Sequence, residues 1–153
     1  MDIKNIPVRE LLPHEPPMVL LDRALSYTES ELVAEVDIRP DSILCEADGV
    51  PGWVGIEYMA QAVAAHAGYQ GRLAGEPPRI GYLLGTRSYK SSLSVFPVGK
   101  TLTVTIESLF VEMGLGAFAC RIEMDGPVAT AKINVYQPTD DSMESIDSGR
   151  ISG

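Results

Sequence analysis

The sequence predicts an α+β fold in which an antiparallel sheet wraps around one long, buried helix. Two observations favour this architecture. Between residues 51 and 71, apolar side chains recur at spacings of three and four, which is the period of a helix. Residues 32–38, 101–110, 118–124 and 129–135 mostly alternate between apolar and polar side chains, as half-buried antiparallel strands do, and residues 18–26 form a short apolar run consistent with a strand. A helix with a broad apolar face can hide that face against the concave side of such a sheet.

Length and composition indicate one domain. The chain has 153 residues, of which 45% are apolar and 22% charged, so it can form a core. We expect the domain to span residues 1–138. Residues 139–153 have no apolar period and carry four acidic residues against one arginine. This composition predicts a disordered acidic tail.

Several classes of function are disfavoured by composition. The net charge of −9 argues against nucleic acid or an anionic membrane as the main partner. Apolar runs fall well short of the roughly 20 residues that a membrane span needs, and the charged N-terminus is unlike a signal peptide, so we expect a cytoplasmic protein. Two cysteines and two histidines predict neither a disulfide framework nor a metal site. No phosphate loop or dinucleotide fingerprint is present, and no cofactor is expected.

Six strands are predicted around the helix. Two precede it and are joined by a hairpin turn at Thr28-Glu29-Ser30, and four follow it, the first interrupted by a bulge near Gly85. Asp125-Gly126 is a tight-turn signal between the last two. The predicted strands are residues 18–26, 32–38, 80–95, 101–110, 118–124 and 129–135.

The helix is predicted to begin at Pro51-Gly52 and to end at Gly68 or Gly71. Its many alanines make it thin enough to be approached from several sides, so we expect it to be largely buried. The predicted apolar face consists of Trp53, Ile56, Met59, Ala60, Val63 and Ala67.

Glu57 is the most informative candidate for chemistry. It lies on the helix among apolar residues, one turn after Trp53. A carboxylate that loses hydration there would have its charged form disfavoured, which suits a general acid or base. The alternative is a helix-edge position that faces solvent, with Gln61 continuing a polar stripe one turn later. The pattern alone leaves both interpretations open.

The helix start is a second candidate. The first N–H groups of a helix have no acceptor within the helix and can polarise a carbonyl oxygen, as an oxyanion hole does. Gly52 would allow a ligand to approach closely because it has no side chain. Pro51, Gly52 and Trp53 are therefore predicted to bind substrate.

The two histidines have different prospects. His14 lies in a proline-rich segment, where a lone histidine is either a structural hydrogen-bonding residue or a catalyst. His66 follows Glu57 by nine residues, which places it half a turn round the helix, on the side opposite Glu57. We expect His66 to be structural or exposed.

Five basic residues fall within residues 72–100, where Glu76 is the only acid, so this window has a net charge of +4. It is either a solvated face balanced by acids elsewhere in the fold or a docking surface for an acidic partner. These residues are Arg72, Arg79, Arg87, Lys90 and Lys100.

Three segments of the chain resemble one known family. Residues 12–23, LPHEPPMVLLDR, and residues 50–62, VPGWVGIEYMAQA, are similar to the 3-hydroxyacyl-[acyl-carrier-protein] dehydratases. With residues 81–87, GYLLGTR, the resemblance is closest to the dehydratase-like proteins of aryl polyene clusters. It covers about residues 5–137 and implies the hot-dog fold, in which an antiparallel sheet wraps around a long helix.

The resemblance implies a reaction and a set of roles. Glu57 matches the carboxylate that protonates or orients the departing hydroxyl, and Gly52 matches the glycine whose N–H binds the thioester carbonyl. The implied partners are an acidic acyl carrier protein, which delivers the acyl chain on phosphopantetheine and would dock on the basic window, and a second subunit in a dimer, either a copy of this chain or another dehydratase.

One departure from the family pattern leaves alternatives open. The family usually places a catalytic histidine about eight residues before Pro-Gly, but residues 41–48 read DSILCEAD. His14 matches a different, structural position, and using it as the base is a hypothesis. The alternatives to a self-sufficient dehydratase are an acyl thioesterase that uses Glu57 as base or nucleophile, and a half-site or non-catalytic subunit that partners another dehydratase.

Overall fold

Eight strands and one long helix make up the described part of the chain, which in this computed structural model comprises residues 2–13, 18–76 and 82–136. The predicted tail and His14 lie outside these ranges. The helix α1 is Gly55–Leu73, and a 3₁₀ turn at Gly52–Val54 leads into it. The strands are β1 Arg23–Tyr27, β2 Glu31–Asp37, β3 Gly49–Pro51, β4 Tyr82–Ser91, β5 Val95–Pro97, β6 Thr101–Glu112, β7 Leu115–Glu123 and β8 Pro127–Tyr136.

Six strands form one antiparallel sheet in the order β1-β2-β6-β7-β8-β4, and β3 pairs with β5 in a separate two-stranded ribbon. Alternate residues of β2, which include Leu32, Ala34 and Val36, are buried and face the helix side of the sheet. The same alternation buries Leu102, Val104 and Ile106 of β6. The predicted architecture of a sheet wrapped around one helix is therefore confirmed.

The turns agree with the sequence where the signal is local. Thr28 and Glu31 exchange backbone hydrogen bonds across the predicted β1–β2 hairpin. Asp125 and Gly126 both have positive φ in the tight turn between β7 and β8. The predicted irregularity in β4 is present as a register shift between Leu83 and Gly85.

The first strand is shorter than predicted, because it begins at Arg23 and not at residue 18. The backbone of residues 18–21 is bound by the side chain of Gln61 on α1 instead of by a neighbouring strand. The short β3–β5 pair was not predicted. It joins the segment before the helix to the segment before β6, and so anchors the helix start.

The helix continues beyond both glycines that were predicted to end it. At Gly68 the backbone oxygen of Leu11 lies so close that a Cβ would overlap it. Gly68 therefore provides close packing between the helix and the N-terminal segment, and not a helix stop. The helix ends after Leu73, followed by Gly75 with a φ of +72°.

Candidate active site

The backbone at the helix start is held by two neighbouring segments. The Gly52 N–H donates to the Ser94 carbonyl oxygen at 2.8 Å. The Gly52 carbonyl oxygen accepts from the Tyr89 hydroxyl at 2.5 Å and from the Gly55 N–H. A Cβ at position 52 would overlap the Leu93 carbonyl oxygen. Glycine is therefore required here by the close approach of residues 93–94.

This geometry corrects the predicted role of Gly52. Its N–H is already bound to the protein's own backbone, so it is not a free donor for a thioester carbonyl. The next amide along the chain belongs to Trp53. It lies in the first turn, where helix geometry provides no acceptor, and no described residue accepts its hydrogen. Of the three predicted residues, Trp53 supplies the available N–H.

Glu57 is exposed in the single chain, and the Trp53 side chain is 60% exposed. The predicted dry environment for this carboxylate is therefore wrong for the chain by itself, and the solvent-facing alternative describes it. The physical reason is the orientation of the helix. The chain's own sheet covers the face that carries Met59, Val63 and Tyr69, whereas Glu57 lies on another side.

The predicted apolar face is rotated relative to the buried face for the same reason. Trp53 is exposed and Ile56, Ala60 and Ala67 are half-buried. The sequence pattern missed the buried polar and aromatic side chains that face the core. These buried residues are Tyr58, Gln61, His66 and Tyr69.

Gln61 follows Glu57 by one turn and is only 3% exposed. Its Oε1 accepts from the Leu20 N–H at 2.8 Å, and its Nε2 donates to the Met18 carbonyl oxygen at 2.6 Å. The amide thus satisfies backbone groups that no strand pairs. These bonds hold residues 18–21, which follow the proline-rich segment, against the helix that carries Glu57.

Tyr58 points into the chain next to Glu57, and it lines a cavity of about 200 Å³. Asp22 and Arg39 also line it, and they are ion-paired at 3.1 Å. Burial, reinforced by the charge of Asp22, raises the pKa of Tyr58, so the hydroxyl remains protonated. Sequence reasoning missed this cavity because its residues lie far apart in the chain.

His66 is 4% exposed, and its Nε2 lies 3.1 Å from the Thr28 carbonyl oxygen. Its ring contacts Tyr27 with centroids 5.0 Å apart, and burial lowers its pKa. A neutral imidazole can donate from Nε2 to that carbonyl oxygen. The prediction of a structural His66, turned away from Glu57, agrees with this placement.

A second cavity, of about 490 Å³, opens at the C-terminal half of the helix. His66, Gln70 and Phe118 line it together with residues from the ends of β6, β7 and β8. It lies on the side of the helix away from Glu57. We therefore do not assign this cavity to the site around Glu57.

The basic window is divided between opposite ends of the fold. Arg72, on the last turn of the helix, lies 3.9 Å from Glu10. Lys100 lies 3.8 Å from Asp125 and accepts a backbone bond from Ile38, just after β2 ends. Arg72 follows His66 on the same helix, and His66 contacts Thr28, just before β2 begins. Arg72 and Lys100 therefore lie near opposite ends of β2.

Of the three remaining basic residues, the structure describes the side chain of one. Lys90 is exposed on β4, at the edge of the sheet. Arg79 and the side chain of Arg87 lie outside the described part of the structure. Arg72 and Lys100 therefore do not share one surface on this chain, and docking of an acidic partner on the basic window stays a prediction.

The sheet wrapped around the central helix defines a hot-dog protein. A family model described as ApeP-like, ApeP dehydratase, matches residues 6–147. Because the match spans most of the chain, the protein belongs to the ApeP-like dehydratase family. The resemblance noted in the sequence is thereby confirmed.

Individual relatives agree with this assignment. The chain is 32% identical over 124 residues to the 3-hydroxyacyl-[acyl-carrier-protein] dehydratase FabZ of Deinococcus radiodurans, with 80% of this chain and 84% of the relative covered. Among solved structures, the dehydratase heterocomplex ApeI:P of Xenorhabdus doucetiae contains a chain that is 30% identical, with a TM-score of 0.82 over 92% of this chain and 97% of that one.

A more distant structure shares the fold alone. A hypothetical thioesterase of Streptococcus pneumoniae, solved with coenzyme A, is 14% identical with a TM-score of 0.60, over 75% of this chain and 84% of that one.

No helix among the described residues is both long and apolar enough to cross a membrane.

Proposed function

We propose that this protein dehydrates 3-hydroxyacyl thioesters carried on an acyl carrier protein, and that it does so as one half of a two-subunit site. Membership of the dehydratase family supports the reaction. The observation that carries the two-subunit requirement is the exposure of Glu57 and Trp53, because a carboxylate in bulk water is a poor place for proton transfer to a hydroxyl leaving group.

The proposed roles follow from the helix start. The Trp53 N–H donates to the thioester carbonyl oxygen and stabilises the enolate formed when a base removes the α-proton. Glu57, one turn further along, gives a proton to the 3-hydroxyl as the C–O bond breaks. The new C=C bond forms between the α and β carbons, and one water leaves.

The base is the part of this mechanism that the chain's own helix does not supply. Residues 41–48 contain no histidine, and His66 is buried on the other side of the helix. We propose that the base comes from the second subunit, which covers the exposed Trp53 and Glu57 face. In the Xenorhabdus heterocomplex a related chain is assembled with a different dehydratase subunit, which supports a heterodimer over a homodimer.

Docking of the carrier remains part of this proposal. The acidic surface of the carrier would contact basic residues near the substrate entrance. Because Arg72 and Lys100 lie near opposite ends of β2, one carrier molecule would contact only one of the two on a given subunit. Because the proposed substrate is bound to an acyl carrier protein, we also propose the cytoplasmic location that the sequence predicts.

A direct assay separates the candidate functions. A carrier protein is loaded with a 3-hydroxyacyl chain and incubated with this chain alone, with a second dehydratase subunit that carries the histidine motif, and with both, and the products are read by mass spectrometry. We expect the enoyl product from the mixture at a rate well above the sum of the separate rates, and its loss with Glu57→Gln.

Other results would contradict the proposal. Release of the free acid would indicate the thioesterase alternative. Full activity of the mixture with Glu57→Gln would indicate that this chain is a non-catalytic partner, an alternative that the missing histidine favours.

A further inference from the structure

The Tyr89 hydroxyl reaches the helix start from a different part of the chain. Its oxygen lies 2.5 Å from the Gly52 carbonyl oxygen, to which it donates. That carbonyl already accepts from the Gly55 N–H, so it does not need the hydroxyl to be satisfied. The bond therefore satisfies the half-buried hydroxyl and adds a second restraint on this carbonyl, at the point where substrate is proposed to bind.

The chain departs from regular strand geometry at the residue before Tyr89. Ser88 has a φ of +57°, an uncommon conformation for a residue with a side chain, and the pairing of β4 with β8 shifts register between Arg87 and Lys90. A bulge of this kind re-aims a side chain. Here Tyr89 packs against the core from an edge strand.

The helix has adapted to receive this hydroxyl. A Cβ at Gly55 would overlap the Tyr89 oxygen and would crowd Ile122 and Phe96. The absence of a side chain at Gly55 thus leaves the space through which the hydroxyl reaches the Gly52 carbonyl.

The consequence concerns the direction of one amide. A peptide unit is planar and trans, so the carbonyl of Gly52 and the N–H of Trp53 belong to one rigid plane and point in opposite directions. The peptide before it is fixed by the bond from the Gly52 N–H to the Ser94 oxygen. With both sides of Gly52 held, the Trp53 N–H has a fixed direction before any substrate arrives.

We propose that Tyr89 is a positioning residue that orients the Trp53 N–H toward the thioester carbonyl oxygen. This inference rests on the proposed function and deepens it. A donor aimed in advance where negative charge develops stabilises the transition state without reorganisation. Tyr89 itself touches no substrate. Its partial burial raises its pKa, so the hydroxyl stays protonated and keeps donating across the working pH range.

The test uses Tyr89→Phe, which keeps the ring and removes only the hydroxyl. In the active assembly we expect kcat to fall about ten-fold, a fraction of the roughly 10²–10³-fold loss on removing an oxyanion donor outright. KM should stay within about two-fold, because this donor acts mainly on the charge that develops on the carbonyl oxygen in the transition state. Tyr27→Phe is the matched control: it removes a tyrosine hydroxyl near His66, at the other end of the helix, and should leave kcat unchanged.

A spectroscopic readout separates positioning from stability. The carrier-bound substrate is labelled with carbon-13 at the thioester carbonyl and bound to an assembly with Glu57→Gln, so that it is not consumed. We expect the carbonyl infrared band to shift to lower frequency on binding. Adding Tyr89→Phe should reverse at least half of that shift, whereas adding Tyr27→Phe should not.

The outcomes distinguish this inference from the function on which it rests. An unchanged kcat together with an unchanged band in Tyr89→Phe overturns the positioning role alone. A lower thermal midpoint with normal kcat per folded protein also overturns it, since that result indicates a structural hydroxyl. A wild-type assembly that makes no enoyl product overturns the proposed function while the band still tests Tyr89. If no thioester binds at all, both fail.

Discussion

The helix start, residues 52–57, and the second half of α1 both carry aromatic and ionisable residues, but in opposite surroundings. The helix start presents Trp53 and Glu57 to solvent, and its first peptide units are held by Ser94 and Tyr89. The second half buries His66 among Tyr27, Tyr69 and Phe118. The comparison teaches where this helix is complete within one chain and where it is not. His66 has its partners within the chain, whereas Glu57, to which we assign the catalytic role, has none among the described residues.

The largest effect is expected at the exposed end. Glu57→Gln should lower kcat of the active assembly by about 10³-fold, within the 10²–10⁴ range of a lost general acid. Because the side chain is exposed, the thermal midpoint of the single chain should stay unchanged. Steady-state assays and a melting curve check both statements. Glu112→Gln, an exposed carboxylate at the end of β6, is the control and should change neither. A similar loss of kcat in both variants would remove the special role of Glu57.

The next largest effect tests how tightly the buried half is packed. Gly68→Ala would normally stabilise a helix by about 1 kcal/mol. Here the added Cβ meets the Leu11 backbone, so we expect the free energy of unfolding to fall by about 2–3 kcal/mol. Denaturant unfolding measures it. Gly85→Ala, where a Cβ meets open space, should cost little. Equal effects at the two positions would contradict the packing assigned to Gly68.

Gln61 lies between the two halves and tests how the helix holds the 18–21 segment. Gln61→Leu leaves the part-buried Leu20 N–H and Met18 carbonyl without their partner, so we expect a loss of about 1–2 kcal/mol in the free energy of unfolding. Gln70→Ala, at an exposed position on the same helix, should cost under about 1 kcal/mol. Chemical denaturation of both variants decides the matter, and a neutral Gln61→Leu would show that the amide bonds add nothing.

The smallest effect concerns pH and the buried histidine. Burial lowers the pKa of His66 below its unfolded value of about 6.5, so the unfolded chain takes up a proton first as pH falls. Stability from this residue is therefore complete above about pH 6.5 and is lost on acidification below it, by up to about 1.4 kcal/mol per pH unit. The free energy of unfolding, measured between pH 8 and 5, should depend less on pH for His66→Gln than for the wild type. The same pH dependence in both proteins would contradict a neutral, buried His66.

Much of the fold could be predicted because strand alternation and turn chemistry are local signals. The alternation of β6 and the Asp125-Gly126 turn needed only their own neighbours in the sequence. The helix end could not be predicted, because Gly68 is explained by the distant backbone of Leu11 and not by helix propensity. The buried face was misjudged because Tyr58, Gln61, His66 and Tyr69 are amphipathic or polar, and their burial depends on tertiary partners.

The candidate site was predictable only in part. The carboxylate at position 57 indicated acid–base chemistry, and the helix start at Pro51-Gly52 indicated an amide donor. Which amide is free depends on Ser94 and Tyr89, about 40 residues further along the chain, so no spacing rule identifies it. In the proposed assembly a second subunit completes the surroundings of Glu57, and one chain's sequence does not describe that subunit.

Trp53 offers the most direct measurement of the central claim, which is that this site is completed from outside the chain. It is the chain's single tryptophan and it lies one turn before Glu57. The account predicts that, on titration with the second dehydratase subunit, Trp53 emission shifts to the blue and acrylamide quenching falls in step with the appearance of dehydration. Dehydration at full rate while Trp53 remains as open to quencher as in the single chain would contradict it.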